Sequence, residues 1–158
     1  MTTYDWLLLG HLLAAFMFLS GAIVAGVLHW LATRRPRPSE VALLLGLVRV
    51  TVPLIGVGSL AALGFGLWLV DEAGFDFSDG WILGAIVLWL VSGALAGPGG
   101  KRLRHARELA ERLAGEGDEP SPDLHRAVTD RTALILNYGS FACLVAILVL
   151  MVFKPGAG

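Results

Sequence analysis

A run of nearly uninterrupted apolar residues from Val41 to Val70 constrains this chain more than any other stretch of its sequence. A helix rises 1.5 Å per residue, so roughly 20 residues cross the hydrocarbon core of a bilayer. Three further apolar runs reach the length that a span needs. The predicted spans cover about residues 6–32, 41–70, 81–97 and 133–153. The sequence therefore predicts a membrane protein with four transmembrane helices.

The composition supports this class and excludes several others. Hydrophobic residues make up 56% of the 158-residue chain and charged residues only 16%, which is unlike a soluble domain. The net charge of −1 gives no excess of positive charge that would attract nucleic acid. The apolar composition makes the lipid bilayer the expected partner. The sequence contains no hydrolase elbow, metal-ligand cluster, phosphate loop or dinucleotide fingerprint. These observations argue against an enzyme.

The distribution of charge predicts how the chain is oriented. Segment 33–40 carries three arginines, and seven lysines or arginines lie between Lys101 and Arg131, whereas segment 71–80 carries four acids and no base. Cytoplasmic loops of membrane proteins are enriched in lysine and arginine. Segments 33–40 and 98–132 are therefore expected to be cytoplasmic, with both termini outside the inner membrane.

The basic segment after the third span has the pattern of an amphipathic helix over about residues 101–114. Leu103, Ala106 and Leu113 repeat at helical spacing, with arginines and glutamates on the other faces. The Pro-Gly-Gly sequence at 98–100 is expected to end the third span before this helix begins. The predicted fold is a single all-α domain, 1–158: a four-helix transmembrane bundle with one amphipathic helix at the inner surface.

One charged residue, Arg49, lies within the second span. A guanidinium in hydrocarbon costs at least about 2.5 to 3.5 kcal/mol on insertion scales, and intramembrane charges usually pair in the bundle interior. Depth counted from the inner interface brings Arg49 to a layer with His29, Asp130 and Asn137. Asp130 is the expected partner, with Asn137 as the alternative. This cluster is either a structural clamp that fixes helix register or a pathway for a small solute or a proton.

His11 is a candidate cofactor ligand in the outer half of the first span. It shares one helical face with His29, and this face is expected to point into the bundle. Neutral imidazole commonly ligates haem, and Gly64 and Gly66 of the second span would leave space for a porphyrin. His29 lies about 27 Å farther along the same helix, so it cannot supply a second ligand to that haem. The alternative is a histidine that only packs.

The sequence also resembles a bacterial integral membrane family known as domain of unknown function 2269. The resemblance covers nearly the whole chain and is carried by GHLLAAFMFLSG, LVRVTVPLIGVGSLAALGFGLWL and DRTALILNYG. More distantly, a histidine near the outer end of the first helix is similar to the membrane protoporphyrinogen oxidase and copper-resistance D families. That resemblance implies a haem or metal role for His11. The oxidase family's other functional basic position has no match here, so its activity does not transfer.

Three functions follow as hypotheses. The first is a non-enzymatic structural or accessory subunit that forms a homo-oligomer or a larger membrane complex through its glycine faces. The second is a redox protein that binds haem b or another porphyrin through His11. The third is a solute or proton pathway through the Arg49 layer.

Overall fold

The computed structural model describes residues 2–156, which are almost entirely helical. The elements in chain order are α1 (Thr3–Ala32), α2 (Pro38–Glu72), α3 (Gly80–Gly115), α4 (Pro122–Val128) and α5 (Arg131–Phe153). Within this part of the chain, α1, α2, α3 and the α4–α5 segment are long and apolar enough to cross a membrane. The prediction of four spans is confirmed.

Local capping chemistry explains where the helices begin. The Thr2 side chain accepts a hydrogen bond from the Asp5 backbone N–H, and the Asp5 carboxylate accepts one from Thr2, which forms a capping box for α1. Pro38 opens α2, where its missing N–H costs no hydrogen bond. Ser121 and Asp130 cap α4 and α5 through their side-chain oxygens.

The expected break after the third span does not occur. Pro98 lies inside α3, which continues without interruption to Gly115, so the amphipathic stretch is an extension of a transmembrane helix rather than a separate surface helix. Proline is tolerated in membrane helices because neighbouring groups satisfy the freed backbone. The following residue, Gly99, is buried against the Asn137 side chain of α5, which helps to hold the helix in place here.

The apolar side of this extension forms a hydrophobic cluster with the ends of the other helices. Ala106 and Ala110 of α3 are both 0% exposed. The buried members of the cluster are Ala32, Val41, Leu45, Ala106, Ala110, Leu124 and Val128. This region, here called the basic end, also carries the arginines of segment 33–37. The opposite end, here called the loop end, holds segment 73–79, the start of α1 and the described residues that follow α5.

The helices pack as two antiparallel pairs. Gly10 of α1 lies against Phe65 of α2, and Gly21 of α1 lies against Ile55. In the other pair, the hydroxyls of Ser92 in α3 and Ser140 in α5 are 2.9 Å apart. α2 and α3 join the two pairs, whereas α1 and α5 meet at few positions. α1 and α5 are therefore in much less contact than the two helices of either pair.

The closest approach of two backbones occurs at Gly58 of α2. A β-carbon at this position would lie 2.6 Å from the backbone nitrogen of Phe18 and 3.0 Å from the carbonyl oxygen of Ala14. Real side chains do not accommodate such distances, so only glycine fits here. Small residues at helix crossings allow this approach in membranes. Gly58 thus fixes how α1 and α2 cross.

Candidate functional site

The imidazole of His11 extends from α1 and contacts the backbone of α2. Its Nδ1 atom lies 2.9 Å from the carbonyl oxygen of Ala62. A carbonyl can only accept a hydrogen bond, so Nδ1 carries the proton. In the neutral ring this assignment leaves a lone pair on Nε2. The ring is partly buried and lines a cavity.

Gly66 of α2 provides the space that the His11 ring occupies. A β-carbon at residue 66 would lie 3.1 Å from Cε1 and 3.2 Å from Nδ1 of His11. Gly64 has no such role, because it is exposed and a β-carbon there would meet nothing within 4 Å. Of the two glycines predicted to face a cofactor, only Gly66 contacts His11.

The cavity lies between the four long helices in the half of the bundle nearest the loop end. It has a volume of about 360 Å³ and is partly open. That volume falls in the range of small-molecule sites, roughly 300 to 1,000 Å³. Most of its walls are aliphatic or aromatic, and α1 and α5 both contribute residues.

Two tryptophans of α3 line the cavity and differ in how their indole N–H groups are satisfied. Trp89 donates to the Ser59 hydroxyl at 2.8 Å. Trp81 is only 4% exposed, and its Nε1 has no acceptor within residues 2–156. A buried donor without a partner costs about 1–3 kcal/mol. The ring of Trp81 thus lines the cavity, and its indole N–H is a buried donor that the described chain leaves unused.

A cation lies beside Trp81. The ammonium of Lys154, which follows α5, is 4.6 Å from the centre of the Phe75 ring and 5.5 Å from that of Trp81. The two rings contact each other edge to face, with 5.4 Å between their centres. Aromatic faces attract cations at such distances. Among the residues that line the cavity, Lys154 is the only lysine or arginine, and no aspartate or glutamate lines it.

The predicted cluster of His29, Arg49, Asp130 and Asn137 is not assembled. The Asp130 carboxylate lies 2.6 Å from the guanidinium of Arg102, so the expected partnership with Arg49 is wrong. The amide of Asn137 packs on Gly99. His29 is buried, and its Nε2 lies 3.0 Å from the carbonyl oxygen of Val128, which ties α1 to α4.

Arg49 itself lies on the exposed face of α2 and forms no ion pair with any residue in 2–156. The buried face of this half of α2 is formed by Val41, Leu45, Val48 and Thr51. About 20 residues separate Arg49 from Trp68, and the same number separate Lys101 from Trp81 in α3, which is the length that crosses a bilayer. On this spacing Arg49 would lie at the interface of the basic end instead of deep in hydrocarbon.

One polar contact at the basic end was missed by the sequence analysis. Asp118 lies in the turn after α3, where it accepts hydrogen bonds from the backbone N–H of Ser39 at 2.7 Å and from its hydroxyl at 2.6 Å. These bonds lower the pKa of the Asp118 carboxyl below its ordinary value. The residue before α2, Arg37, provides no side-chain cap. A distant aspartate thus caps the start of α2.

Four apolar spans around a partly open cavity define an integral membrane protein of the helical-bundle class. The chain belongs to the family described as predicted integral membrane protein (DUF2269), whose model matches residues 5–155. The family resemblance seen in the sequence is thereby confirmed over nearly the whole chain. No curated protein and no solved structure matches it.

Proposed function

We propose that this chain is an accessory membrane protein that binds haem b, with His11 as the iron ligand. The observation that carries the proposal is the hydrogen bond between His11 Nδ1 and the Ala62 carbonyl. Histidines that bind metals usually donate their other ring N–H to a carbonyl or carboxylate, which fixes the tautomer and the ring orientation. The same arrangement at His11 leaves Nε2 available for a metal.

The surroundings of His11 fit such a group. The cavity is mainly apolar and is bounded by all four long helices. Bound haem would supply one-electron or ligand-binding chemistry at its iron. His11 is the only histidine that lines the cavity, and His29 is engaged with Val128. His11 would therefore be the one histidine of the described chain that holds the proposed haem.

The test is an absorption spectrum of the protein purified in detergent from haem-replete cells. We expect a Soret band in the wild-type protein and its loss in His11→Ala. His105→Ala is the matched control, because His105 is exposed at the basic end, outside the residues that line the cavity. This control should keep the band. A colourless wild-type protein, or a band unchanged in His11→Ala, would refute the proposal.

The glycines that do not pack inside the bundle support a second proposal, that the chain associates with another membrane helix. Gly93 and Gly97 of α3 are exposed, and β-carbons at these positions would meet nothing within 4 Å. A small-xxx-small spacing on a lipid-facing surface is typical of helix association. Cross-linking in vesicles should reveal a homo-oligomer or a larger complex. Gly93→Leu should reduce this cross-linking, whereas a product unaffected by the substitution would exclude this face.

We also infer an orientation for the chain in a bacterial inner membrane. The basic end carries Arg34, Arg35, Lys101 and Arg102, whereas Lys154 is the only base at the loop end among residues 2–156. The positive-inside rule then places segments 33–40 and 98–132 in the cytoplasm and both termini outside. Fusions of a periplasm-dependent reporter to the C-terminus should be active. An inactive fusion of normal abundance would contradict this orientation.

A further inference from the structure

We propose that the loop end of the cavity is a carboxylate subsite, formed by the ammonium of Lys154 and the indole N–H of Trp81. The subsite would hold an acidic group of the molecule that the cavity binds. The inference rests on the proposed function for the identity of that molecule: haem b carries two propionates on one edge of its ring.

The first support is the unsatisfied donor. Trp81 is almost completely buried, so its Nε1 cannot turn to bulk solvent for an acceptor. Buried polar side chains generally have a hydrogen-bond partner, and each exception calls for an explanation. Trp89 lies about two helical turns farther along α3, and its indole N–H donates to the Ser59 hydroxyl. An acceptor supplied by a ligand would satisfy Trp81 in the same way.

The second support is the charge of the cavity wall. Lys154 rests over the Phe75 and Trp81 rings, and it forms no ion pair with a carboxylate in residues 2–156. Among residues 2–156, no aspartate or glutamate lines the cavity to compete with a bound anion. A cation and an N–H donor at one end of an apolar cavity select an amphiphile with an anionic oxygen group.

The third support is the position of the subsite relative to His11. Tyr4 lines the cavity near the start of α1, and His11 lies two helical turns deeper, about 10 Å along the axis. The iron ligand and the cation thus occupy different depths of one cavity. A molecule whose apolar ring system reaches His11 can present its carboxylates toward the loop end.

The experiment compares an acid with its ester in purified apo-protein. Hemin and hemin dimethyl ester are titrated, and the ratio of their dissociation constants is measured. We expect wild-type protein to prefer the free acid. Lys154→Gln and Trp81→Phe should each reduce that preference about tenfold. Trp81→Phe keeps an aromatic ring in the wall and removes only the indole donor. Lys154→Arg should keep the preference.

Matched controls are Lys101→Gln, at the basic end, and Trp68→Phe, whose side chain is exposed and does not line the cavity. Both should retain the wild-type ratio. A preference for the acid that survives in both Lys154→Gln and Trp81→Phe would overturn the subsite, because other groups would then hold the carboxylate.

A second arm separates this subsite from the haem proposal. Brominated stearic acid and its methyl ester are added in nanodiscs to a variant in which the exposed Trp6, Trp30 and Trp68 are replaced by Phe. Quenching of the remaining tryptophan fluorescence then reports binding near Trp81 and Trp89. Acid-selective quenching that Lys154→Gln abolishes would support a carboxylate subsite for a fatty acid even if hemin does not bind. Equal affinity for acid and ester in both arms would overturn the inference.

Discussion

His11 and Gly66 face each other across the contact between α1 and α2, with 3.1 Å between the imidazole Cε1 and the position that a β-carbon would take at residue 66. The ring cannot retreat freely, since its Nδ1 is bonded to Ala62. Glycine at position 66 and the orientation of His11 therefore depend on each other.

Gly66→Ala is expected to displace the His11 ring by a few tenths of an ångström and to weaken its hydrogen bond to Ala62. The ¹⁵N resonances of labelled His11 should shift, and the Soret band of a haem-loaded sample should fall. Gly64→Ala should change neither, because a β-carbon there enters open space. Equal responses from the two variants would show that the contact at residue 66 is not what positions the ring.

Gly58→Ala is expected to destabilise the bundle by about 1–3 kcal/mol, the usual cost of forcing extra volume into a packed contact. The new methyl group would meet the backbone of Phe18 at 2.6 Å, so the helices would have to separate. Gly56→Ala adds the same group to an exposed position and should be nearly neutral. Unfolding in mixed micelles measures both, and similar losses would contradict the crossing described for α1 and α2.

The Asp118–Ser39 contact predicts a specific loss of stability in acid. The pKa of Asp118 is lowered in the folded protein from an ordinary value of 3.8. The contribution of Asp118 to the free energy of unfolding is therefore fully present when the pH is above the ordinary pKa. This contribution is lost as the pH falls through the lower pKa of the folded state. Between pH 7 and pH 3, Asp118→Asn should show a smaller decrease in Tm than the wild type.

Glu119→Gln is the control for that measurement, since this neighbouring residue is exposed and makes no ion pair within the described residues. It should follow the wild-type pH profile. A profile of Asp118→Asn that coincides with the wild type would mean that the contact contributes nothing to acid stability.

Adjacent substitutions test which face of α2 points inward. Val48 is buried, so Val48→Ala should cost about 1 kcal/mol or more through lost packing. Arg49 is exposed, so Arg49→Gln should stay within about 0.5 kcal/mol. Unfolding free energies in the same micelles decide the comparison. A larger loss at Arg49 would favour the buried cluster first expected from the sequence.

The number of spans could be predicted because length and apolar content alone determine whether a helix crosses a bilayer. The inward face of α2 could not. A membrane helix is apolar all round, so Val48 and Val50 look alike in sequence although only Val48 is buried. The inward face was predicted from the glycines and Arg49 instead. Gly56 and Gly64 are exposed, whereas the glycine of α2 that packs most closely is Gly58.

Contacts between segments that are distant in sequence explain the other differences between the predicted and the observed structure. Asp118 and Ser39 are separated by 79 residues, and nothing local in either sequence indicates that they meet. Pro98 is a helix-ending signal in water but not where α5 supports the helix at Gly99. His11, by contrast, could be predicted to face inward, since its helical line contains mostly small residues.

The narrow contact between α1 and α5 has a consequence for how any occupant arrives. If the cavity opens between these two helices, its contents enter from the surrounding lipid phase and not directly from water. Its occupancy then follows how strongly a compound partitions into the bilayer, so a sparingly soluble molecule could saturate the site at trace aqueous levels.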